Sequence, residues 1–463
     1  MLPLLLSFFL AQSTPPTPPP EEVVQPQVVR PLPGRLDTIP VFNSNSPEVV
    51  LKEGILLSTF PSAGKKFPGA HLNFAFQGRF DIFAHHIARA EPPEDLKSLY
   101  LGIILHNPTS QPVTINVLQG ASYLSQPDAP FIKLPSLTEN NSGKVFAGPG
   151  DRVTSDILRG QRQAIFPNQI VIPPGQSQML LNLPIPVREL TPPLNGRSTL
   201  LRLRSSGKVY AASLAMFAKI NADGSERYLR QPEAGTPSLE EWQNLLDNGD
   251  LAGPRDKTPT PLAETGKPRI YGRVAGVAKG SQWRALLVDS PKAKYLTIPQ
   301  PGQVFSYGLS TLDGGTLGTG QIQSATILRR YPDTAYRAHG NYGIQYSLKL
   351  PLYNNTQSSQ TVSVSIQTPL KEDQLIKPGL RFFSTPARQV YFRGTVRVRY
   401  KNEQGESQTK FIHLAQTRGQ IGEPLVRLNI KPGDRSLVEV DLIYPPDATP
   451  PQVLTVSTQA ANQ

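Results

Sequence analysis

The sequence predicts a mainly β protein: two β-sandwich-like domains with immunoglobulin-like strand grammar, joined by a linker that carries one short helix. Three observations point there. The 463 residues include 48 prolines and 36 glycines, a density that works against long helices. Runs of four to eight β-branched and aromatic residues recur between turn dipeptides. Helical periodicity shows in one segment alone. At roughly 100 to 200 residues per domain, the length suits two cores.

In chain order, residues 1–13 read MLPLLLSFFLAQS, an apolar run closed by small residues, which predicts a secretory signal cleaved after Ser13. The run ends about ten residues short of the roughly 20 that a spanning helix needs, so no transmembrane span is expected in the mature chain. Residues 14–34, opening STPPTPPP, read as a Pro-rich extended spacer. From 35 to 220 come strand-like runs such as LYLGIILHNPT, PVTINVLQ, NQIVIPPG and RSTLLRLRSSGKVYAASLAMFA, the first β domain. Residues 221–268 form an acidic linker. Within it Ser238 and Glu241 have capping-box spacing, and Leu239, Trp242 and Leu246 recur at i, i+3, i+7, which predicts a short amphipathic helix. Residues 269–463 resume the β texture as a second domain.

The second domain echoes the first. LGIILHNPTSQPVTINV (101–117) aligns with LKLPLYNNTQSSQTVSV (348–364), matching Asn107 and Thr109 to Asn354 and Thr356 at an offset of 247. IVIPPGQSQMLLNLPI (170–185) aligns with LNIKPGDRSLVEVDLI (428–443) at an offset of 258. Each pair is a strand, a turn and a returning strand. The unequal offsets leave both tandem duplication and convergence on one strand grammar open.

Charge and composition narrow the function classes. The formal net charge is +12, distributed as +6 over 35–220, −4 over 221–268 and +11 over 269–463. Outside the cytoplasm a basic surface meets acidic glycans and envelope polymers first. No nucleic-acid recognition pattern occurs, so nucleic acid is not an expected partner. The absence of cysteine excludes disulfides, thiolate metal sites and a cysteine nucleophile.

The segments VFNSNSPEVV (41–50), EGILLSTF (53–60), AHLNFAFQGRFDIFAHH (70–86), IYGRVAGVAKGSQW (270–283), GTLGTGQIQSA (315–325), RYPDTAYRAHGNYG (330–343), FRGTVRVRY (392–400) and YPPDATPPQVLT (444–455) resemble an exported cyanobacterial protein family defined by a domain of unknown function. The resemblance spans nearly the whole mature chain. It implies a cyanobacterial source and an extracytoplasmic setting, periplasmic, envelope-associated or released. It transfers no activity, cofactor or catalytic residue.

Candidate sites therefore rest on the residues. Adjacent His85 and His86 point to opposite faces of a strand, and a metal site there would need Asp81, His71 or His106 brought in by folding; no metal and no cofactor are expected. The 330–346 loop gathers Asp333, Tyr336, Arg337, His339, Asn341 and Tyr342. A polysaccharide lyase or hydrolase would use Tyr336, His339 and Asn341 there for proton transfer and carboxylate neutralisation; a polar β-connection explains the same residues without chemistry. GGTLGTGQ (314–321) lacks the G-K-[ST] ending of a phosphate loop and reads as a hairpin tip. In FRGTVRVRYK, Arg397, Arg399 and Lys401 alternate with apolar residues, and Arg202 and Arg204 repeat the pattern in the first domain. With Arg337, these make the expected ligand-binding set. The sequence thus reads as an exported, non-catalytic envelope protein holding acidic polysaccharide, or another envelope component, on basic sheet faces. A glycan-cleaving enzyme centred on 330–346 and an envelope scaffold or assembly partner are the alternatives, and the oligomeric state stays open.

Overall fold

The computed structural model describes residues 20–222, 225–227, 236–264 and 268–460. The signal reading of 1–13 and the head of the spacer up to Pro19 lie outside them. The fold is mainly β, with two α-helices among the described residues. Its strands surround two large apolar clusters.

The first cluster lies between two layers that share one strand, Leu194–Phe217. Its N-terminal part pairs with Phe76–Arg89 and Val113–Leu124; past an irregularity between Ser205 and Val209, its C-terminal part pairs with Leu99–His106 and Gly54–Ser58. Such an interruption bends a strand and lets it turn the corner between layers. The second cluster lies between an eight-stranded and a five-stranded sheet. Leu348, Leu350, Val396, Val398, Val438 and Val440 face it from the larger sheet, and Phe305, Val362, Val364 and Val456 from the smaller.

The sequence echoes are one strand quartet built twice, in the same register until a bulge between Met179 and Leu181 shifts the first copy. Leu99–His106 pairs with Ser177–Ile185 through His106 opposite Ser177, as Gln345–Tyr353 pairs with Arg435–Ile443 through Tyr353 opposite Arg435. Thr114 faces Val171 as Thr361 faces Asn429. One Asn holds each corner. Asn107 Nδ2 donates to the carbonyls of Gln111 and Ile172, at 2.7 and 3.0 Å, while its Oδ1 accepts from Thr109 N and Oγ1. Asn354 does the same with Ser358, Ile430 and Thr356. The two offsets differ because the connection between the two strand pairs is longer in the second copy. Their partners coincide in space.

The chain crosses between these units in both directions. Ala275–Lys279 and Ala325–Arg330 extend the first unit's sheet beside Pro40–Ser44, while Leu137–Glu139 pairs with Ser407–Thr417 at the edge of the eight-stranded sheet. The spacer expected over 14–34 is also corrected from Glu22 onward. Glu22–Gln25 pairs with Leu380–Phe383, Val28–Arg30 runs parallel to Val304–Leu309, and the Pro33 carbonyl accepts from the Trp283 indole at 2.9 Å. Its prolines keep the segment extended, and the valines between them supply β-formers for open sheet edges.

The helix Leu239–Asn248 has the full capping box, Ser238 receiving Glu241 N and Glu241 receiving Ser238 N. Its Trp242 is fully buried and donates to Asn182 Oδ1 at 3.2 Å. The second helix, Pro149–Leu158, was not legible as one. It begins Pro-Gly and packs against strands of both units.

Candidate functional site

A cleft of about 680 Å³ opens where the two units meet. Asn43, Asn45, Glu48 and His85 line it from the first unit; residues 255–257, 270–274 and 338–342, with Leu312, Lys371 and Thr449, line it from the second. The seam is built by backbone pairing. Ala275–Lys279 lies antiparallel to Pro40–Ser44, and Asn45 N donates to the Val274 carbonyl at 2.8 Å. Side chains more than 200 residues apart in sequence thereby face one space.

Its charges close on one another. Arg273 pairs with Glu48 and, at 3.0 Å, with Asp256, which also receives Ser46 Oγ at 2.7 Å. Arg255 makes a two-pronged pair with Asp333, at 2.8 and 3.1 Å. His85 is hydrogen-bonded to Ser198 at 2.7 Å, with Glu48 3.8 Å from its other nitrogen, and burial lowers its pKa. His339 packs against the Tyr271 ring at 4.7 Å, and burial pushes it down to about 4. Both imidazoles are therefore neutral at pH 7. Tyr271 donates to the Asp313 carbonyl at 2.6 Å and accepts from Lys371 Nζ at 2.5 Å. Around this wall, Asn43 Oδ1, Asn45 Oδ1, Arg255 Nη1 and His339 Nδ1 are buried without a protein hydrogen-bond partner. Such groups are uncommon in folded proteins, and a bound water, ion or ligand is one thing that satisfies them.

The residues of a lyase reading are not gathered. His339 lines the cleft. Tyr336 does not; its ring lies under the Arg330 guanidinium at 3.7 Å. Asn341 also lines the cleft, but its amide is committed to the fold, donating to the Gln323 carbonyl and Tyr346 and accepting from Ala325 N. Tyr342 donates to the Ala448 carbonyl, and Arg337 pairs with Asp313 at 3.1 Å.

The basic sheet face is half of a charge ladder. Arg397 stands opposite Asp441 and Arg399 opposite Glu439 across neighbouring strands. Arg397 reaches Asp441 at 3.0 Å, and Arg399 reaches Asp441 at 3.2 Å and Glu439 at 3.1 Å; Lys349 takes the other Glu439 oxygen at 2.9 Å. Alternation along one strand carries no information about the strand beside it, so these partners were invisible in the sequence. Arg202 is desolvated against Gln345, to which it donates at 2.7 Å, near the Arg79–Asp81 pair. Arg204 and Lys401 are exposed, with no ion pair among the described residues.

The other four histidines have separate partners: His86 bonds Ser44 and the Pro47 carbonyl, His71 bonds Ser58, His106 bonds Ser177, and His413 pairs with Asp151 at 2.7 Å. Among the described residues no three His, Asp or Glu side chains form a group able to hold a metal ion. No helix among them is long and apolar enough to cross a membrane. Sequence reasoning missed the cleft's first-unit wall. Its one signal was the polar run Asn43-Ser44-Asn45-Ser46, which interrupts an otherwise apolar strand.

No curated protein matches the chain. Solved structures align with it only faintly. Lac15 from a marine microbial metagenome is 9% identical with a TM-score of 0.10, covering 84% of this chain, which spans about half (54%) of Lac15. Procruciferin, the 11S globulin of Brassica napus, is 11% identical with a TM-score of 0.11, covering 92% of this chain and 85% of its own. The coconut allergen cocosin is 10% identical with a TM-score of 0.10, covering 89% and 86%. Likeness at that level carries neither fold nor function. Residues 27–458, which include both strand quartets and every wall of the seam cleft, match the proteins of unknown function DUF3370, and the chain belongs to that family.

Proposed function

We propose that the protein is an exported, non-catalytic binding protein of the cell envelope, and that its ligand enters the cleft at the seam between the two units. The observation that carries this reading is that four buried polar atoms without a protein partner, Asn43 Oδ1, Asn45 Oδ1, Arg255 Nη1 and His339 Nδ1, belong to residues lining one cleft of about 680 Å³. Ligand sites of roughly 300 to 1,000 Å³ typically combine an apolar lining with a few fixed polar groups. Ile270, Val274 and Leu312 supply the apolar part here. Binding rather than turnover is favoured because His339, pushed down to about 4, is a weak base at neutral pH, and Asn341 is used up by the fold. The carboxylates Glu48 and Asp256 are tied to Arg273.

Binding on the basic sheet face has less support, since Arg397 and Arg399 already satisfy Asp441 and Glu439. Retention of the protein by isolated envelope fractions separates the two sites. Thr449→Trp, which fills the cleft from an exposed position, is expected to abolish retention. The double variant Arg397→Gln/Arg399→Gln is expected to leave it intact. The reverse pattern would return the ligand to the sheet face.

A further inference from the structure

A second cavity, of about 690 Å³, lies beside the seam cleft, and the two share Tyr271. It is lined by the glycine-rich turn 314–320 together with Arg269, Asp313, Asp373 and Gln374. The partition is thin. It consists of the Tyr271 ring, the Lys371 ammonium 4.4 Å from that ring's centre, and the Asp313 backbone that receives the Tyr271 hydroxyl. Gly314 lets the turn come this close, for its φ is +77° and an added Cβ would lie 3.0 Å from the Tyr271 oxygen. Lys371 is exposed, so the partition forms a low sill rather than a wall.

We propose that the two cavities form one groove, and that its occupant is a stretch of neutral, hydroxyl-rich glycan lying across the Tyr271–Lys371 sill with sugar units in both cavities. The inference rests on the binding role proposed for the cleft and specifies its ligand class. Its ground is the groove's charge pattern. Across the two cavities the basic side chains Arg255, Lys257, Arg269, Arg273 and Lys371 are matched in number by the carboxylates of Glu48, Asp256, Glu264, Asp313 and Asp373, which leaves lone pairs and N–H groups for hydroxyls but little net attraction for a polyanion. Asp313 and Asp373 both line the second cavity, where a uronate carboxylate would face like charge. His339, more than nine-tenths buried and neutral, lines the first cavity with its Nδ1 unpartnered, 3.9 Å from Asp313 of the second. The apolar side chains of the seam suit the C–H faces of sugar rings. The GGTLGTGQ segment, a hairpin tip on sequence grounds, thus becomes a wall of the binding groove.

Calorimetric titration of the full chain with gluco-, manno- and xylo-oligosaccharides of two to six units, and with oligogalacturonates of matched length, tests this. Affinity for at least one neutral series is expected to rise about tenfold or more between two and four units as the second cavity fills. The matched uronate series is expected to bind at least about tenfold more weakly. Gln374→Trp, at an exposed position in the second cavity, should remove the length dependence and spare the two-unit affinity. Thr449→Trp should remove both. Length-independent binding, or tighter uronate binding, overturns the spanning neutral glycan while leaving the cleft as a binding site. No binding by either class at millimolar concentration, with envelope retention still abolished by Thr449→Trp, overturns the glycan class alone. Retention insensitive to Thr449→Trp overturns both readings.

Discussion

Replacing Asn354 by Ala removes one amide and should unfasten a whole corner of the second unit. Nδ2 donates to the Ser358 and Ile430 carbonyls at 2.9 and 2.7 Å, and Oδ1 accepts from Thr356 N at 2.9 Å and Thr356 Oγ1 at 2.7 Å. A neutral hydrogen bond contributes about 1 kcal/mol net, and a buried group left unpaired costs about 1–3 kcal/mol. Asn354 has no exposed surface, so water cannot easily replace all four bonds, and a loss of about 3 kcal/mol is expected. Asn107→Ala should cost a similar amount because it removes the same bonds from the same register. Urea denaturation followed by tryptophan fluorescence and far-UV circular dichroism measures both; Trp242 lies beside the first quartet and Trp283 beside the second. Asn→Asp at either position keeps the acceptor and loses the donor, so it should recover little stability. A loss below about 1 kcal/mol at either site, or recovery by Asp, would refute the claim that these amides hold the corners.

Three further expectations follow from single sites. Burial raises the Asp447 carboxyl to about 7, so the folded state holds its proton more tightly than the unfolded chain does; stability from this group is full below the unfolded carboxylate range and is lost as pH rises toward 7. Asp447→Asn should flatten the fall in thermal stability between about pH 4 and 7, and an unchanged slope would contradict the assignment. Gly102→Ala would bring a Cβ within 2.8 Å of the buried Trp242 ring, and a melting-point drop equivalent to about 1–3 kcal/mol is expected from overpacking. The Arg397→Gln/Arg399→Gln variant leaves the buried Asp441 beside Glu439 without its guanidinium partners; it should lose about 3 kcal/mol in denaturant titration.

Local chemistry was readable in the sequence wherever it depends on near neighbours. The capping box at Ser238, the strand texture and the Asn-x-Thr corners each encode their own geometry within a few residues, and each formed. The strands at Glu22–Gln25 and Val28–Arg30 were hidden because a proline-flanked valine reads equally as spacer or edge strand until a sheet edge meets it. The Pro149–Leu158 helix was hidden because its Pro-Gly start reads as a turn, although Val153, Ile157 and Leu158 fall on one buried face packed against strands of both units. Site reasoning failed in the same way. Arg397, Arg399 and Lys401 at alternate positions look like an open basic face, yet the two guanidinium groups are paired with Glu439 and Asp441 one strand away. The seam cleft depends on Ala275–Lys279 crossing to Pro40–Ser44, and no local spacing announces that crossing. His339 and His85 were each singled out locally; that they share one cleft with Asn45 and Tyr271 needed the topology.

The most direct measurement is a crystal structure of the full chain soaked with a neutral tetrasaccharide. Electron density for sugar rings is expected on both sides of Tyr271, within hydrogen-bonding distance of Asn45 or His339 on one side and Asp373 on the other. Sugar found along the Arg397–Arg399 face, with the groove at the seam holding none, would contradict it.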